Sequence, residues 1–355
     1  MSRLIYPEDL DDLAVGAAIL GTGGGGDPFI GKLMAQIAMG ATGPVRLITA
    51  DELQDDDFVI PSAMMGAPTV MLEKIPQGEE AVAALRALEN HLGRKATATS
   101  PIECGGINSM IPFIVAARTG LPVVDGDGMG RAFPELQMET FHVYGVQGWP
   151  AVVADEHGQH VIIESQDNYR LEWLARGVTI RMGGHATLLD YPMTGKQYKE
   201  TAVRGTVSMG LAIGRAVREA HRQRIHPVDA VCRATNIFTG LGEDQGSRLR
   251  IEFQNENLVA IKESERGQDV LATVPDLICV LDSETGTAIT TERLRYGQRA
   301  RIIGIPTPDI MRTPEALKVW GPKAFGYEDV EFIPLERKFQ DYYRQVGVPE
   351  GKRIT

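Results

Sequence analysis

Cysteine is scarce: Cys104, Cys232 and Cys279 are the three in 355 residues, far apart and without a CxxC pair. Such a set fits buried thiols in a reducing compartment rather than a disulfide framework. No HExxH or other zinc spacing occurs, so spacing alone assigns no metal site. Positive charge is also short, with 36 Lys and Arg against 47 Asp and Glu, a formal net charge of −11. A nucleic-acid binder needs a basic face to neutralise phosphates, so that class is excluded. No stretch approaches the roughly 18 uninterrupted apolar residues of a membrane span. The opening MSRLIYPEDLDDL turns acidic at once and lacks the apolar core of a signal peptide, so a cytoplasmic location is expected. No GxxxxGK[ST] is present, which removes the P-loop, and there is no internal repeat or low-complexity tract.

What remains is an ordinary globular composition, 43% hydrophobic and 23% charged, long enough for about two domains. Acids in the first turn and apolar residues at Leu10, Leu13, Ala17 and Leu20 predict a helix over 7–20. Then comes GTGGGGDPF, with Asp27 as N-cap and Pro28 as first residue of a second helix. Short apolar runs at 45–49, 58–64, 96–102 and 121–124 alternate with helical patterns at 79–91 and 107–118, which predicts an α/β layer with partly parallel strands. Residues 151–154 and 160–164 read as a hairpin around DEHGQ. A long helix is expected over 196–221, with Gly205, Gly210 and Gly214 permitting close packing. From Ala234 onward the runs LRIEFQ, NLVAIKE, VLATVPDLICVL and RARIIGIP, separated by turns, predict a β-rich module. The expected architecture is α/β plus β-rich, an N-terminal domain over 1–165 and a C-terminal domain over 166–355.

Gly21, Gly23 and Gly26 match the GxGxxG spacing of a dinucleotide fingerprint, but the element before them reads as a helix, and no acidic residue follows a strand at the distance needed to hold a ribose. No nucleotide cofactor is expected. Backbone N–H groups of Gly23, Gly24, Gly25 and Gly26, followed by a helix start, can instead hold a carboxylate or a deprotonated heterocycle; the alternative is a simple tight reversal.

The densest chemistry lies between Glu103 and His142, in IECGGINS, VDGDGMGRAFPELQ and ETFHVYG. Each piece begins where a strand-like run ends, the edge at which open α/β sheets bind ligands. Glu103, Asp125 and Asp127 are candidates for general base or metal ligand, with Asp125 and Asp127 alternatively turn residues. His142 is a candidate metal ligand or proton carrier, or else a core histidine. Arg131 suits a planar carboxylate. Asn108 and Gln137 each offer a donor and an acceptor to an amide-like ring edge. Glu135 joins the same cleft. Cys104 has no patterned base beside it. In MGGHATLLDYPMTGKQ, His185 and Lys196 are within reach of the cleft from the second domain, unless the stretch is only a linker.

GTGGGGDP, ECGGINS, VDGDGMGRAFPELQM and YPMTGKQ together resemble the S-methyl thiohydantoin desulfurase family over essentially the whole chain, DGMGRAFPELQ being the most specific piece. The resemblance implies a two-domain α/β plus β-rich protein and hydrolytic removal of sulfur from a five-membered thiohydantoin ring. A related step of ergothioneine breakdown converts 3-(5-oxo-2-thioxoimidazolidin-4-yl)propionate to its hydantoin and hydrogen sulfide. On this reading the partner is a small heterocycle with a carboxylate side chain, with no nucleic acid or membrane, and the chain forms a homo-oligomer. Asp127, Glu103 and His142 are the catalytic candidates. Asn108, Gln137 and His185 orient the ring, Arg131 or the Gly23–Gly26 amides hold the carboxylate, and Asp125 with His142 would bind a divalent metal, zinc by expectation. The alternatives are a hydantoin- or oxoproline-type cyclic amide hydrolase and a non-catalytic subunit of a hydantoinase; a nicotinamide oxidoreductase ranks last.

Overall fold

The computed structural model describes residues 2–67, 69–74, 76, 78–234, 248–265 and 267–335. Residues 235–247 and 336–355 of the expected C-terminal domain lie outside them.

The chain opens with β1 (Arg3–Ile5), then α1 (Asp9–Leu20) and α2 (Phe29–Thr42) on either side of the glycine run. Next come β2 (Val45–Thr49), β3 (Phe58–Gly66), the short α3 (Val70–Glu73), α4 (Glu79–Leu92), β4 (Ala98–Pro101), α5 (Ile111–Thr119) and β5 (Val123–Asp127). Strands β2, β5, β4 and β3 lie side by side in parallel. Burial on both faces explains their apolar runs: β3 and β5 are covered almost throughout.

After α6 (Thr140–Val143), the expected hairpin forms as β6 (Ala151–Ala154) and β7 (His160–Ile163), followed by α7 (Asn168–Arg181) and β8 (His185–Leu189). β8 inserts between β3 and β6, antiparallel to both. The large sheet therefore draws strands from both sides of residue 165.

The expected helix over 196–221 is broken. Thr194 caps α8 (Gly195–Thr201), its hydroxyl accepting the Gln197 N–H while the Gln197 side chain reaches back, so the TGKQ stretch is a capping box. β9 (Met193–Thr194) precedes it, β10 (Val203–Arg204) follows, and only then does α9 (Thr206–Gln223) begin, after Gly205 in the left-handed region. β10 pairs antiparallel with the end of β5, Val203 opposite Asp127. That pairing draws Asp125–Asp127 into the strand, where the sequence suggests a turn. Gly210 and Gly214 do permit close packing: a methyl on Gly16 of α1 would fall 1.9 Å from the Gly210 carbonyl oxygen, and one on Gly214 would fall 1.8 Å from that of Asp12.

Beyond α10 (Pro227–Ala234), antiparallel β11 (Arg248–Phe253), β12 (Asn257–Ser264) and β13 (Gly267–Thr273) form one sheet, and β14 (Leu277–Asp282) with β15 (Ala300–Ile305) a second, before α11 (Pro314–Trp320). The C-terminal region is β-rich. Phe133, in the most specific sequence stretch, stacks on Trp320 with ring centroids 5.4 Å apart, which fixes that stretch to the C-terminal end. Among the described residues no helix is long and apolar enough to cross a membrane.

Candidate active site

A cleft enclosing about 1160 Å³, counting its open mouth, lies at the carboxyl ends of β3, β4 and β5. That is the edge where strand ends leave side chains free to meet a ligand. Its apolar wall is made by Met64 and Met65 from β3, Ile102 after β4, Met129 after β5, and Phe133 and Leu136 from the following loop. Glu103, Asn108 and His185 supply polarity on the inside, and Gly25 and Gly26 form part of the rim. A concave site that joins an apolar wall to convergent polar groups is a usual form of a small-molecule site.

Two glycine loops meet here. The Ile107 N–H donates to the Gly25 carbonyl at 3.0 Å. Gly106 has φ +69°, and a methyl there would sit 2.0 Å from the Gly25 oxygen. GTGGGG and ECGG are thus glycine-rich because their backbones touch. The carbonyls of Thr22 and Gly23 accept N–H bonds from Asn257 and Thr291, so the first loop also anchors the C-terminal sheets. Asp27 accepts the Phe29 N–H at 3.0 Å and pairs with Arg293 at 2.5 Å.

Glu103 is almost fully buried. The Asn108 Nδ2 donates to its Oε1 at 2.8 Å, while Oε2 has no hydrogen-bond partner among the described residues. Burial pushes its carboxyl well above the usual carboxylate range, against the pull of the Asn108 bond, and the nearby Glu256 and Asp127 push it further. Glu103 therefore holds a proton well above the pH at which an exposed carboxyl loses it. Asn108 also donates to the Met64 carbonyl at 3.2 Å and accepts the Met64 N–H at 2.7 Å. Its amide is spent on the protein: it positions Glu103 and leaves little to read a ring edge.

His185 opens β8 against Gly66 and is buried. Burial and the nearby Lys74 hold its pKa down to about 4, so it is a neutral hydrogen-bonding group at physiological pH.

The remaining sequence candidates stand elsewhere. Asp127 is fully buried behind the wall, accepting the Cys104 N–H at 2.5 Å and the Gly130 N–H at 2.8 Å. Burial raises its pKa to about 7. It ties the Glu103 turn to the next loop and offers no oxygen to the cleft. Asp125 accepts the N–H and hydroxyl of Ser208 in the first turn of α9, a helix-capping contact. His142 lies half-buried on α6, its Nδ1 3.0 Å from the Asn168 Nδ2 and its ring edge-on to Tyr169. Asn168 accepts the Gly148 N–H and donates to the Val146 carbonyl, which fixes its amide as the donor to His142. Asp125 and His142 are thus committed to different partners and do not fit a shared metal. Among the described residues no group of three or more His, Cys, Asp or Glu could hold one.

Arg131 is not a substrate clamp. It is fully buried, and its guanidinium donates to Thr22 Oγ1 and to the carbonyls of Ala132, Asn257, Pro275 and Asp276. Those five bonds use all its N–H groups and bind the glycine loop to the C-terminal sheets. Gln137 donates to Glu135 and is not part of the cleft lining, although Glu135 and Leu136 belong to it. Burial, with Asp127 nearby, pushes the Cys104 thiol well up, so no thiolate is available. Gly23 and Gly24 lie outside the lining, and Lys196 is exposed on α8.

Among the lining residues that carry no sequence signal are Glu256, in the turn between β11 and β12, and Arg176 and Arg293. They come from α7 and from connections between the C-terminal strands, so only the tertiary fold places them. Arg176 pairs with Glu172 at 2.7 Å and donates to the Pro134 carbonyl.

Comparison with protein families matches residues 8–165 to the S-Me-THD-like N-terminal domain. Residues 166–241 and 233–335 match the S-Me-THD-like C-terminal domain. A crystal structure of a protein from Chromobacterium violaceum superposes with a TM-score of 0.80 at 26% identity, covering 94% of this chain and 100% of that one. Comparison with curated proteins finds no match.

Proposed function

The chain belongs to the S-Me-THD-like family, and on that premise we propose that it removes sulfur from a thiohydantoin ring by hydrolysis at C2. A thiohydantoin-related function follows from the family; the reaction and the roles below are our reading. The observation that carries it is Glu103, a buried carboxyl with one oxygen fixed by Asn108 and the other without a hydrogen-bond partner among the described residues, beside the apolar wall of the cleft.

A thiohydantoin is a flat five-membered ring with a polarisable sulfur. The thioether and aromatic groups of Met64, Met65 and Phe133 suit its faces. Neutral His185 can hydrogen-bond an edge of the ring without adding charge. At the mouth, Arg293 is the cation best placed to meet a propionate carboxylate, in place of the buried Arg131. The substrate this favours is 3-(5-oxo-2-thioxoimidazolidin-4-yl)propionate or its S-methyl counterpart.

In the reaction, water adds to C2, the C–O bond forms, and the C–S bond breaks. Sulfur leaves as hydrogen sulfide, or as methanethiol from an S-methyl ring, and C2 becomes a carbonyl. Protonation of the departing sulfur is the step that needs an acid. Glu103, kept protonated by burial, supplies that proton. Asn108 holds the Glu103 carboxyl, and Asp127 holds the adjacent Cys104 amide. Both are positioning residues. No step here runs through Asp125 or His142.

The test is incubation of the purified chain with the thiohydantoin and with the corresponding hydantoin, assaying sulfide and ring opening. Sulfide with an intact hydantoin ring is the expected result. Ring opening without sulfide would indicate a cyclic amide hydrolase. Neither product from the isolated chain would reject the reading and point to a non-catalytic subunit.

A further inference from the structure

We propose that Glu256 is a second catalytic carboxyl, taking the proton from the attacking water while Glu103 delivers one to the departing sulfur. This rests on the desulfurisation reading above.

Both residues line the same cleft, yet they come from opposite ends of the chain: Glu103 follows β4, and Glu256 sits in the turn between β11 and β12. Glu256 is 2% exposed, so its carboxyl is withheld from bulk water while bordering the cavity. The turn that carries it is pinned. The Asn257 N–H donates to the Thr22 carbonyl at 2.7 Å, and Arg131 donates to the Asn257 carbonyl at 3.0 Å. The carboxyl lies over the glycine run: a methyl on Gly24 would fall 2.2 Å from Glu256 Oε1 and 2.6 Å from its Cδ. The space left by that glycine is filled by the protein's own acid.

The two carboxyls have different electrostatic neighbours. The acids Glu256 and Asp127 oppose the ionisation of Glu103, and the Arg131 guanidinium acts on it less strongly than on Glu256. The charged group that acts on Glu256 is the buried Arg131 guanidinium, which opposes the rise that burial causes. Arg131 spends its N–H groups elsewhere and influences Glu256 through its charge alone. Two buried carboxyls lining one cleft resist ionising together. The one that the cation favours more, and that Asp127 does not oppose, is therefore the one that ionises, and the pair divides into a base and an acid. The proton balance closes: water gives one proton to Glu256 and a hydroxyl to C2, Glu103 gives a proton to sulfur, the hydroxyl proton then passes through the Glu103 carboxylate to the departing sulfur as the C–S bond breaks and C2 becomes a carbonyl, and the proton on Glu256 returns to Glu103 through solvent before the next turnover.

The experiment measures sulfide release by the full-length wild type, Glu256→Gln, Glu103→Gln and Gly24→Ala across pH. Wild type is expected to give a bell-shaped kcat/KM profile. Glu256→Gln is expected to lower kcat about 100-fold and to lose the acidic limb, and Glu103→Gln to lose the alkaline limb. Gly24→Ala keeps Glu256 but displaces its carboxyl, and should lower kcat at least tenfold at a near-normal melting temperature; it decides the matter if Glu256→Gln fails to fold. Wild-type sulfide release with Glu256→Gln, or Gly24→Ala in its stead, within threefold of wild type and an unchanged acidic limb overturns the role of Glu256 alone. A wild type that releases no sulfide overturns the desulfurisation reading, and this proposal with it.

Discussion

Asn108 holds Glu103 at 2.8 Å with one amide hydrogen and clamps both backbone groups of Met64 with the rest of its amide. One side chain thereby fixes the candidate acid to the end of β3, the strand that forms the opposite wall. Asn108→Ala should lower kcat tenfold to a hundredfold with little change in KM, because the carboxyl remains but is no longer aimed. Asn108→Asp should be worse, since a second carboxylate beside Glu103 cannot donate to it or to the Met64 carbonyl. Steady-state kinetics on the two variants checks the ranking; equal activity would contradict it.

Arg131 belongs to the framework of the cleft. Arg131→Lys leaves at least two of five carbonyl and hydroxyl acceptors unserved in the interior, because an ammonium carries three donors in a different geometry. A loss of about 3–5 kcal/mol is expected, read as a lower midpoint in chemical denaturation. A raised KM with unchanged stability would instead return Arg131 to substrate binding.

His185 makes stability depend on pH in a predictable direction. Its pKa in the folded protein is about 4, below the ordinary 6.5. The unfolded chain therefore takes up a proton first as pH falls. The stability from keeping His185 neutral is complete above pH 6.5 and is lost as pH drops toward 4. The full swing is on the order of 3 kcal/mol. The unfolding free energy of wild type minus that of His185→Gln should shrink by that order between pH 7.5 and 4.5. The buried acids titrate in both proteins and largely cancel. A difference that does not vary with pH would refute the assignment.

Glycines of similar appearance should respond with opposite sign. Gly16→Ala forces a methyl against the Gly210 carbonyl, so α1 and α9 must separate, at a cost of about 3 kcal/mol. Gly177 lies inside α7 with nothing within 4 Å of an added methyl. Gly177→Ala should stabilise by about 0.5–1 kcal/mol. Thermal melting of the two variants tests the pair.

Much of this arrangement is legible in the sequence, and the exceptions share a cause. The alternation of apolar runs and helical patterns locates the parallel strands. The strand ends then bring Glu103, Asn108, Gly25, Gly26 and His185 to one cleft. The misplaced residues depend on distant partners. Asp125 and Asp127 read as base or metal ligands, or else as turn residues, because β10, which pairs with their strand end, lies far along the chain. Arg131 reads as an anion site because nothing local reveals that its acceptors are carbonyls of residues 257, 275 and 276. Glu256 is invisible because FQNEN is an ordinary turn until the fold sets it over Gly24. The break between α8 and α9 hides within an unbroken helical pattern, since a capping box at Thr194 and a left-handed Gly205 outweigh periodicity.

The most direct measurement is sulfide release from 3-(5-oxo-2-thioxoimidazolidin-4-yl)propionate and its S-methyl counterpart by wild type and Glu103→Gln side by side. The account predicts stoichiometric sulfide, or methanethiol, with the hydantoin as co-product, and a loss of about 100-fold or more in the folded variant. Wild-type protein that releases neither sulfur product, or a Glu103→Gln variant as active as wild type, would contradict it.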